Sequence, residues 1–269
     1  MEILVLVKEV PDTEARLSRA ADGTLERKGL NFVANPFDEY AVEEGLKLKE
    51  AFGGKVTLIM AGNRPEGAKN ILDSLAKGVD EAVYVCDPGF HDGDPLYAAH
   101  VLKAVVSAMP HDIILCGKQG VDYDFGMAGI ALAELLGIPH VNIVTKLTVD
   151  PAAKTLKAER DTDDGKEVVQ ATLPAVIACE KGLNEPRYAS LKGIMGAKKK
   201  PLAVKTLADV GAPAYQPSLK LKGLALPPVK QPGRVITGEL PDAVKARLSH
   251  RAKAARALRK ALPTLAAGR

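Results

Sequence analysis

The chain is 269 residues long, 46% hydrophobic and 26% charged, ordinary values for a globular protein, and no apolar run reaches the roughly 20 residues that a membrane span needs. Only 4% of its residues are aromatic and none is Trp, which argues against stacking platforms for nucleic-acid bases. The net charge of +4 is unevenly placed: residues 241–269 carry eight Lys/Arg against one acid, or +7, which leaves the rest at about −3. A basic tail on a mildly acidic body suits grip on an acidic partner subunit as well as nucleic acid. Cys86, Cys116 and Cys179 are far apart and odd in number, so a disulfide framework is not expected and a reducing compartment fits. Met1 leads straight into a strand-like run. No secretory signal is therefore expected, and the expected location is the cytoplasm, or the mitochondrial matrix in a eukaryote.

In chain order, Glu2–Lys8 (EILVLVK) is a short apolar run suited to a buried strand, ended by Pro11-Asp12. Residues 16–33 form an excursion with a hairpin-type turn at Asp22-Gly23. Asn35 or Asp38 caps a helix that runs to about Ala51. Lys55–Ala61 is a strand, Gly62–Pro65 a turn, Glu66–Lys77 a helix, Ala82–Cys86 a strand, Asp87–Asp94 a loop and Pro95–Met109 a helix. Ile113–Cys116 is the next strand; the Gly-rich loop Gly117–Gly126 and a small-residue helix follow. Four strand–helix alternations in about 140 residues define a doubly wound, mainly parallel α/β sheet of Rossmann-like type. Ligands in such folds bind outside the carboxyl ends of the strands, here the loops after Lys8, Ala61, Cys86 and Cys116. From Val141 the pattern changes to strands at Val141–Val149, Thr155–Arg160, Val168–Thr172 and Ala175–Cys179. They read as an antiparallel addition whose last strand can return to the main sheet. Leu191–Ala197 is a short helix, residues 211–234 are a Pro/Gly-rich linker, and Asp242–Ala261 is a basic helix. The expected division is a nucleotide-binding α/β domain at 1–206 and an arm at 207–269.

The loop Gly117–Gly126 is the strongest site candidate. Gly117, Gly120 and Gly126 permit close backbone approach, and the helix that follows offers free N–H groups to an anion. Two readings stand on spacing alone: a phosphate cradle shaped by Lys118, Gln119 and Asp122, or a plain strand-to-helix turn. Neither GxGxxG nor a Walker A loop is present. Asp122 and Asp124 read as a turn and a helix cap rather than a catalytic pair, and the five histidines show no metal-ligand spacing. No catalytic residue and no metal ligand is therefore assigned. Leu183–Pro201 mixes turn residues, spaced apolar residues and a lysine run. It reads either as a solvated loop or as a docking surface with Leu191, Ile194 and Met195 as anchors.

The segment LPAVIACEKGLNEPRYASLKGIMGAKKKP resembles the signature of the electron transfer flavoprotein β-subunit family, and NPFDEYAVEEGLKLKE, GKQGVDYD and ERDTDDG agree in the same order. The resemblance covers roughly residues 1–206. It implies the smaller subunit of a heterodimer, an electron carrier rather than an enzyme, with the redox FAD mainly on the α subunit and AMP held in the β subunit. The expected partners are the α subunit, which the C-terminal arm embraces, acyl-CoA dehydrogenase-type flavoenzymes of fatty acid oxidation, and a quinone-linked oxidoreductase as acceptor; neither nucleic acid nor direct membrane insertion is implied. The implied AMP contacts fall on Leu6, on Asn35, Pro36, Phe37 and Asp38, on Ala61, and on Gly117, Lys118, Gln119, Gly120, Val121, Asp122, Tyr123, Asp124, Phe125, Gly126, Met127 and Ala128. The implied docking loop is Asn184–Lys198, with Asn184, Pro186, Arg187, Tyr188, Leu191, Ile194, Met195 and Lys198, and Leu191 as its anchor. Asp161 would face the flavin site of the α subunit. Thr13 stands near that flavin where members carry an aromatic. Tyr123, Phe125, Gly126, Met127 and Ala128 stand where AMP-binding members carry polar residues. A related group holds a second FAD in this pocket and bifurcates electrons from NADH.

Overall fold

A computed structural model of the chain describes residues 1–216 except residue 22, together with 218, 219, 222–225 and 228. The basic helix expected at Asp242–Ala261, the turn residue Asp22 and much of the expected linker lie outside the described residues.

Strand β1 (Glu2–Val7) is buried along most of its length. Its side chains alternate between two cores, with Ile3, Val5 and Val7 on one face of the sheet and Leu4 and Leu6 on the other. Period-2 geometry requires this division, and each fully buried side chain contributes about 1.5–3 kcal/mol of apolar transfer. A narrow antiparallel ribbon of β2 (Glu9–Pro11) and β3 (Phe32–Ala34) follows and brackets the excursion. Next come α1 (Pro36–Phe52), β4 (Lys55–Gly62), a 3-10 turn at Pro65–Gly67, α2 (Ala68–Lys77), β5 (Glu81–Cys86), α3 (Pro95–Val106), β6 (Ile113–Gly117) and α4 (Ala128–Leu136). The chain continues through β7 (His140–Asp150), β8 (Thr155–Thr162), β9 (Gly165–Thr172), β10 (Ala175–Cys179), α5 (Leu191–Ala197) and β11 (Leu202–Lys205).

The main sheet has nine strands in the order β11-β5-β4-β1-β6-β10-β7-β8-β9. It is parallel from β11 to β7 and antiparallel across β7, β8 and β9. Strand β10 does return to the main sheet, parallel between β6 and β7. Helices α1 and α2 cover one face through Ala41, Val42, Leu46, Ile71 and Leu75. Helices α3 and α4 cover the other through Tyr97, Val101, Val105 and Leu132. The sheet is therefore doubly wound, with a mixed α/β architecture. The chain moves outward from β1 through β4 to β5, then crosses back to place β6 on the other flank of β1. A crevice opens at such a reversal.

Three local readings change. The first strand does not simply stop at Pro11, because Glu9–Pro11 continues as β2. Helix α2 starts at Ala68 rather than Glu66, since Pro65–Gly67 forms the 3-10 turn. Residues Leu202–Lys205, exposed on most of their surface, add an edge strand beside β5 that no periodicity marks.

Candidate functional site

Two polar side chains near the start of α1 organise the crevice. Asn35 occupies the N-cap position, with Pro36 at the first helical position, but its side chain does not cap the helix. Instead its Nδ2 donates to the Gln119 carbonyl at 2.9 Å and its Oδ1 accepts from the Val121 N–H at 3.1 Å. Asp38 also turns away from its own helix. One carboxylate oxygen accepts from the Gly117 N–H at 2.9 Å and the other from the Lys8 N–H at 2.7 Å. The ends of β1 and β6 are thus tied to α1 and to the Gly117–Gly126 loop. Both side chains are buried, Asn35 at 1% and Asp38 at 5% exposure, so their satisfied hydrogen bonds matter. Burial pushes the Asp38 pKa up to about 7, against the N–H groups and Lys8, which favour the carboxylate. The neighbouring Cys116 thiol is pushed up to about 12, first by burial and then by Asp38.

The loop is also braced against the chain itself. A Cβ on Gly117 would collide with the Asp38 carboxylate and the Phe37 backbone, and one on Gly120 would meet Asp122. The close approach that these glycines permit is therefore first to protein. Asp122 pairs with Lys8 at 2.6 Å, Lys118 pairs with Glu180 and lies over the Phe37 ring, and Gln119 Nε2 donates to Asp124 at 2.7 Å. Asp124 (φ 53°) and Gly126 (φ 61°) turn the chain in the left-handed region before α4. Neither aspartate caps that helix. Met127 holds the N-cap position without a side-chain hydrogen bond, and the Ala131 N–H to Met127 carbonyl bond opens the helical ladder. The first-turn N–H groups have no intrahelical acceptor, and with the helix dipole they form a positive pole.

One cavity lies outside the ends of β1, β4 and β6. All the residues expected to contact nucleotide line it except Pro36, Phe37, Val121 and Asp124. It also reaches Lys8 and Glu9 at the end of the first strand and Asn63, Arg64, Phe90 and Asp92 in the loops expected after Ala61 and Cys86, together with three residues outside those loops, Arg27 and Phe32 of the excursion and Gly129 of α4. These form a rim in which Arg27 meets Asp92 at 2.7 Å, Asn63 donates to the Phe90 carbonyl at 3.2 Å, and Arg64 stacks 3.6 Å over the Phe32 ring. Glu9, 3.5 Å from Arg64 Nε, is raised in pKa chiefly by burial, with Arg64 and Asn70 opposing. The Arg64 Nε is buried and makes no hydrogen bond with a described residue, its ion-pair contact being Glu9 at 3.5 Å. On the loop side, Tyr123 and Phe125 stack with centroids 5.7 Å apart. Lys8, Glu9, Asn63, Arg64, Phe90 and Asp92 stand at the strand ends where ligands of such folds are expected. Arg27 and Phe32 come from the excursion and carry no such signal.

The other expected residues lie elsewhere. Thr13 and Asp161 are exposed, and Asp161 is 3.8 Å from Lys166 on the β8–β9 hairpin. In the docking segment, Tyr188, Leu191, Ile194 and Met195 project outward at 96%, 76%, 55% and 72% exposure. Lys198 is exposed and Pro186 half-buried. Asn184 and Arg187 instead turn inward onto α1. Helix α5 is capped by Ser190, whose Oγ accepts from the Gly193 N–H at 3.0 Å. It lies so close to α2 that a Cβ on Gly193 would collide with the Ala76 carbonyl. Among the described residues no cluster of His, Cys, Asp and Glu could hold a metal ion, and no helix is long and apolar enough to cross a membrane.

A doubly wound sheet with a crevice at its topological switch point, laced by Asn35 and Asp38, defines a doubly wound α/β protein. The family model for the electron transfer flavoprotein domain matches residues 22–210. The chain is 36% identical over 248 residues to the electron transfer flavoprotein subunit beta of Bacillus subtilis, covering 91% of this chain and 95% of the relative. It is 38% identical over 249 residues to that of Clostridium acetobutylicum (90% and 95%), and 39% identical over 214 residues to that of Bradyrhizobium diazoefficiens (78% and 84%). The chain belongs to the electron transfer flavoprotein family, on the side of its beta subunits.

Proposed function

We propose that this chain is the β subunit of a heterodimeric electron transfer flavoprotein. It pairs with an α subunit that carries the redox FAD, takes electrons from acyl-CoA-type dehydrogenases and delivers them to a quinone-linked oxidoreductase. The cavity holds an adenine nucleotide, AMP in the first instance. The observation that carries this reading is the Asn35–Asp38 lacing, which fixes the Gly117–Val121 stretch of the loop that leads to the uncapped α4, beside a cavity at the strand ends. The residues fit such a ligand. Lys8 and Lys118 are neutralised by Asp122 and Glu180, so phosphate would be held by Gly129-region backbone N–H groups rather than by a free lysine. A flavin, when bound by the heterodimer, supplies reversible electron storage; the protein supplies binding, orientation and electrostatics. This chain's part is to hold the nucleotide, bury the crevice and present the ridge at Tyr188–Met195 to the dehydrogenase.

A second reading keeps the family and changes the ligand: a second FAD in the same cavity and oxidation of NADH with electron bifurcation. The rim residues Arg27, Phe32, Arg64 and Asp92 favour it, because they extend the cavity with polar and aromatic groups beyond the phosphate pole. Co-purification with the α subunit, followed by acid release and identification of all bound nucleotides, decides the matter. One FAD and one AMP per heterodimer are expected. Two FAD establish the second reading, and an absence of nucleotide beyond the first FAD overturns the cavity assignment.

A further inference from the structure

The exposed ridge of the docking segment is tied back to α1 chiefly by the Arg187 guanidinium, and we infer that Arg187 is a positioning residue that sets the attitude of this ridge. The inference rests on the docking reading given above. Arg187 Nε donates to Glu43 at 2.8 Å and Nη2 donates to the other Glu43 oxygen at 2.9 Å. Nη1 and Nη2 reach both oxygens of Glu50 at 2.5 and 3.1 Å. The Arg187 backbone N–H adds a further bond to Glu43 at 3.1 Å. Glu43 and Glu50 lie two turns apart on α1 and present their carboxylates to the same guanidinium. Four of the five N–H donors of the fork are taken by α1, so the side chain is committed to its own protein. Its neighbour Asn184 makes a second anchor, donating to the Tyr40 carbonyl at 3.0 Å and to Glu44 at 2.9 Å.

The residues just beyond these anchors point the other way. Tyr188 is 96% and Leu191 76% exposed. A loop rich in turn residues, with apolar tips, gains by folding those tips onto its own surface unless its base is fixed. Two carboxylates on a rigid helix fix that base. A lysine would carry the same charge, but its single ammonium cannot span both carboxylates as the planar fork does.

The test uses the complete αβ heterodimer with Arg187→Ala, Arg187→Lys, Glu50→Gln, Leu191→Ala and the Arg187→Ala/Leu191→Ala double variant. Flavin reduction by an acyl-CoA-type dehydrogenase is followed against dehydrogenase concentration, and amide hydrogen exchange is read over residues 188–198. Arg187→Ala should raise the half-saturating concentration about tenfold, within the range seen for residues that act without touching ligand, and leave the limiting rate unchanged. It should also speed exchange across 188–198. Arg187→Lys should not restore either property, and Glu50→Gln should give a smaller shift in the same direction without loss of fold. Leu191→Ala should raise half-saturation without changing exchange, and the double variant should be little worse than Leu191→Ala alone. Wild-type kinetics in Arg187→Ala beside a weakened Leu191→Ala overturn this inference alone, and so does a double variant in which the two effects multiply, since Arg187 would then touch the partner itself. Wild-type kinetics in Leu191→Ala overturn the docking reading and this inference with it.

Discussion

Asp38 shows how a side chain expected to cap a helix can instead bind the backbone of distant segments. Its place beside Pro36 suggests a helix cap. In the structure it accepts from the backbone of two strands that are not neighbours in sequence, at Lys8 and Gly117. No local pattern encodes that task. Asn35 is parallel, since its side chain serves the Gly117–Gly126 loop instead of α1. The titration of Asp38 has a definite sign. Its folded pKa of about 7 lies above the ordinary 3.8, chiefly through burial. Between those values the folded state binds more protons than the unfolded state, so the contribution of this group to stability is full below about pH 4 and is lost as pH rises through about 7. Asp38→Asn places an amide NH2 against one of two backbone donors and should cost about 1–3 kcal/mol. Subtracting its stability-versus-pH curve from that of the wild type should leave a decline across this window. A flat difference would show that Asp38 keeps its ordinary pKa.

At the scale of elements, the helices and buried strands were legible because their patterns are strong. Strand β1 is apolar on both faces, as a central parallel strand must be, and β10 was placed at Ala175–Cys179 from its apolar run alone. The missed pieces share a physical reason. β2 and β3 have three residues each, and β11 leaves Ala203, Val204 and Lys205 exposed, so tertiary pairing rather than intrinsic pattern makes them strands. The rim of the cavity was half legible for the same reason. Strand ends announce Lys8 and Arg64, whereas Arg27 and Phe32 arrive from a segment whose shape follows from contacts with distant loops. Helix α5 offers a direct test of close packing. Its Gly193 lies against the Ala76 carbonyl of α2, and Lys200 Nζ donates to the Leu75 and Val79 carbonyls at 2.8 and 2.6 Å just beyond. Gly193→Ala should force α5 away from α2 at about 1–3 kcal/mol, lowering the thermal midpoint by roughly 2–4 °C per kcal/mol. An unchanged midpoint in a heterodimer melt would show that the α2–α5 contact yields without cost.

For the whole molecule, α1 is the longest helix described and it touches both the cavity and the proposed docking segment. Its N-cap Asn35 and first-turn Asp38 stand at the crevice, and its middle and end carry Glu43, Glu44 and Glu50 beneath the ridge. The crevice cavity and the proposed docking surface are thus built on one rigid rod. The segment after β11 adds a further tie: Asp94 caps α3 through Leu96 and Tyr97 and also receives Ser218, while His91 stacks on Tyr215 at 3.8 Å. The loop that contributes Phe90 and Asp92 to the cavity is therefore clamped from outside by the start of the C-terminal segment.

The insertion of β10 between β6 and β7 has a consequence for synthesis. While the ribosome is still making residues 140–172, β6 can pair only with β1, and its other flank, Ile113–Cys116, stays an open apolar edge. The β7–β8–β9 meander can form early from local contacts, but it has no seat on the sheet until Ala175–Cys179 emerges to join β6 to β7. The nascent chain therefore passes through a stage in which this central strand is open along one edge, the kind of edge that recruits other chains. A chain ended after Thr172 should sediment as aggregate at concentrations where one ended after Ala225 remains dispersed. Equal dispersal of the two would mean that the β6 flank is shielded before its partner strand exists.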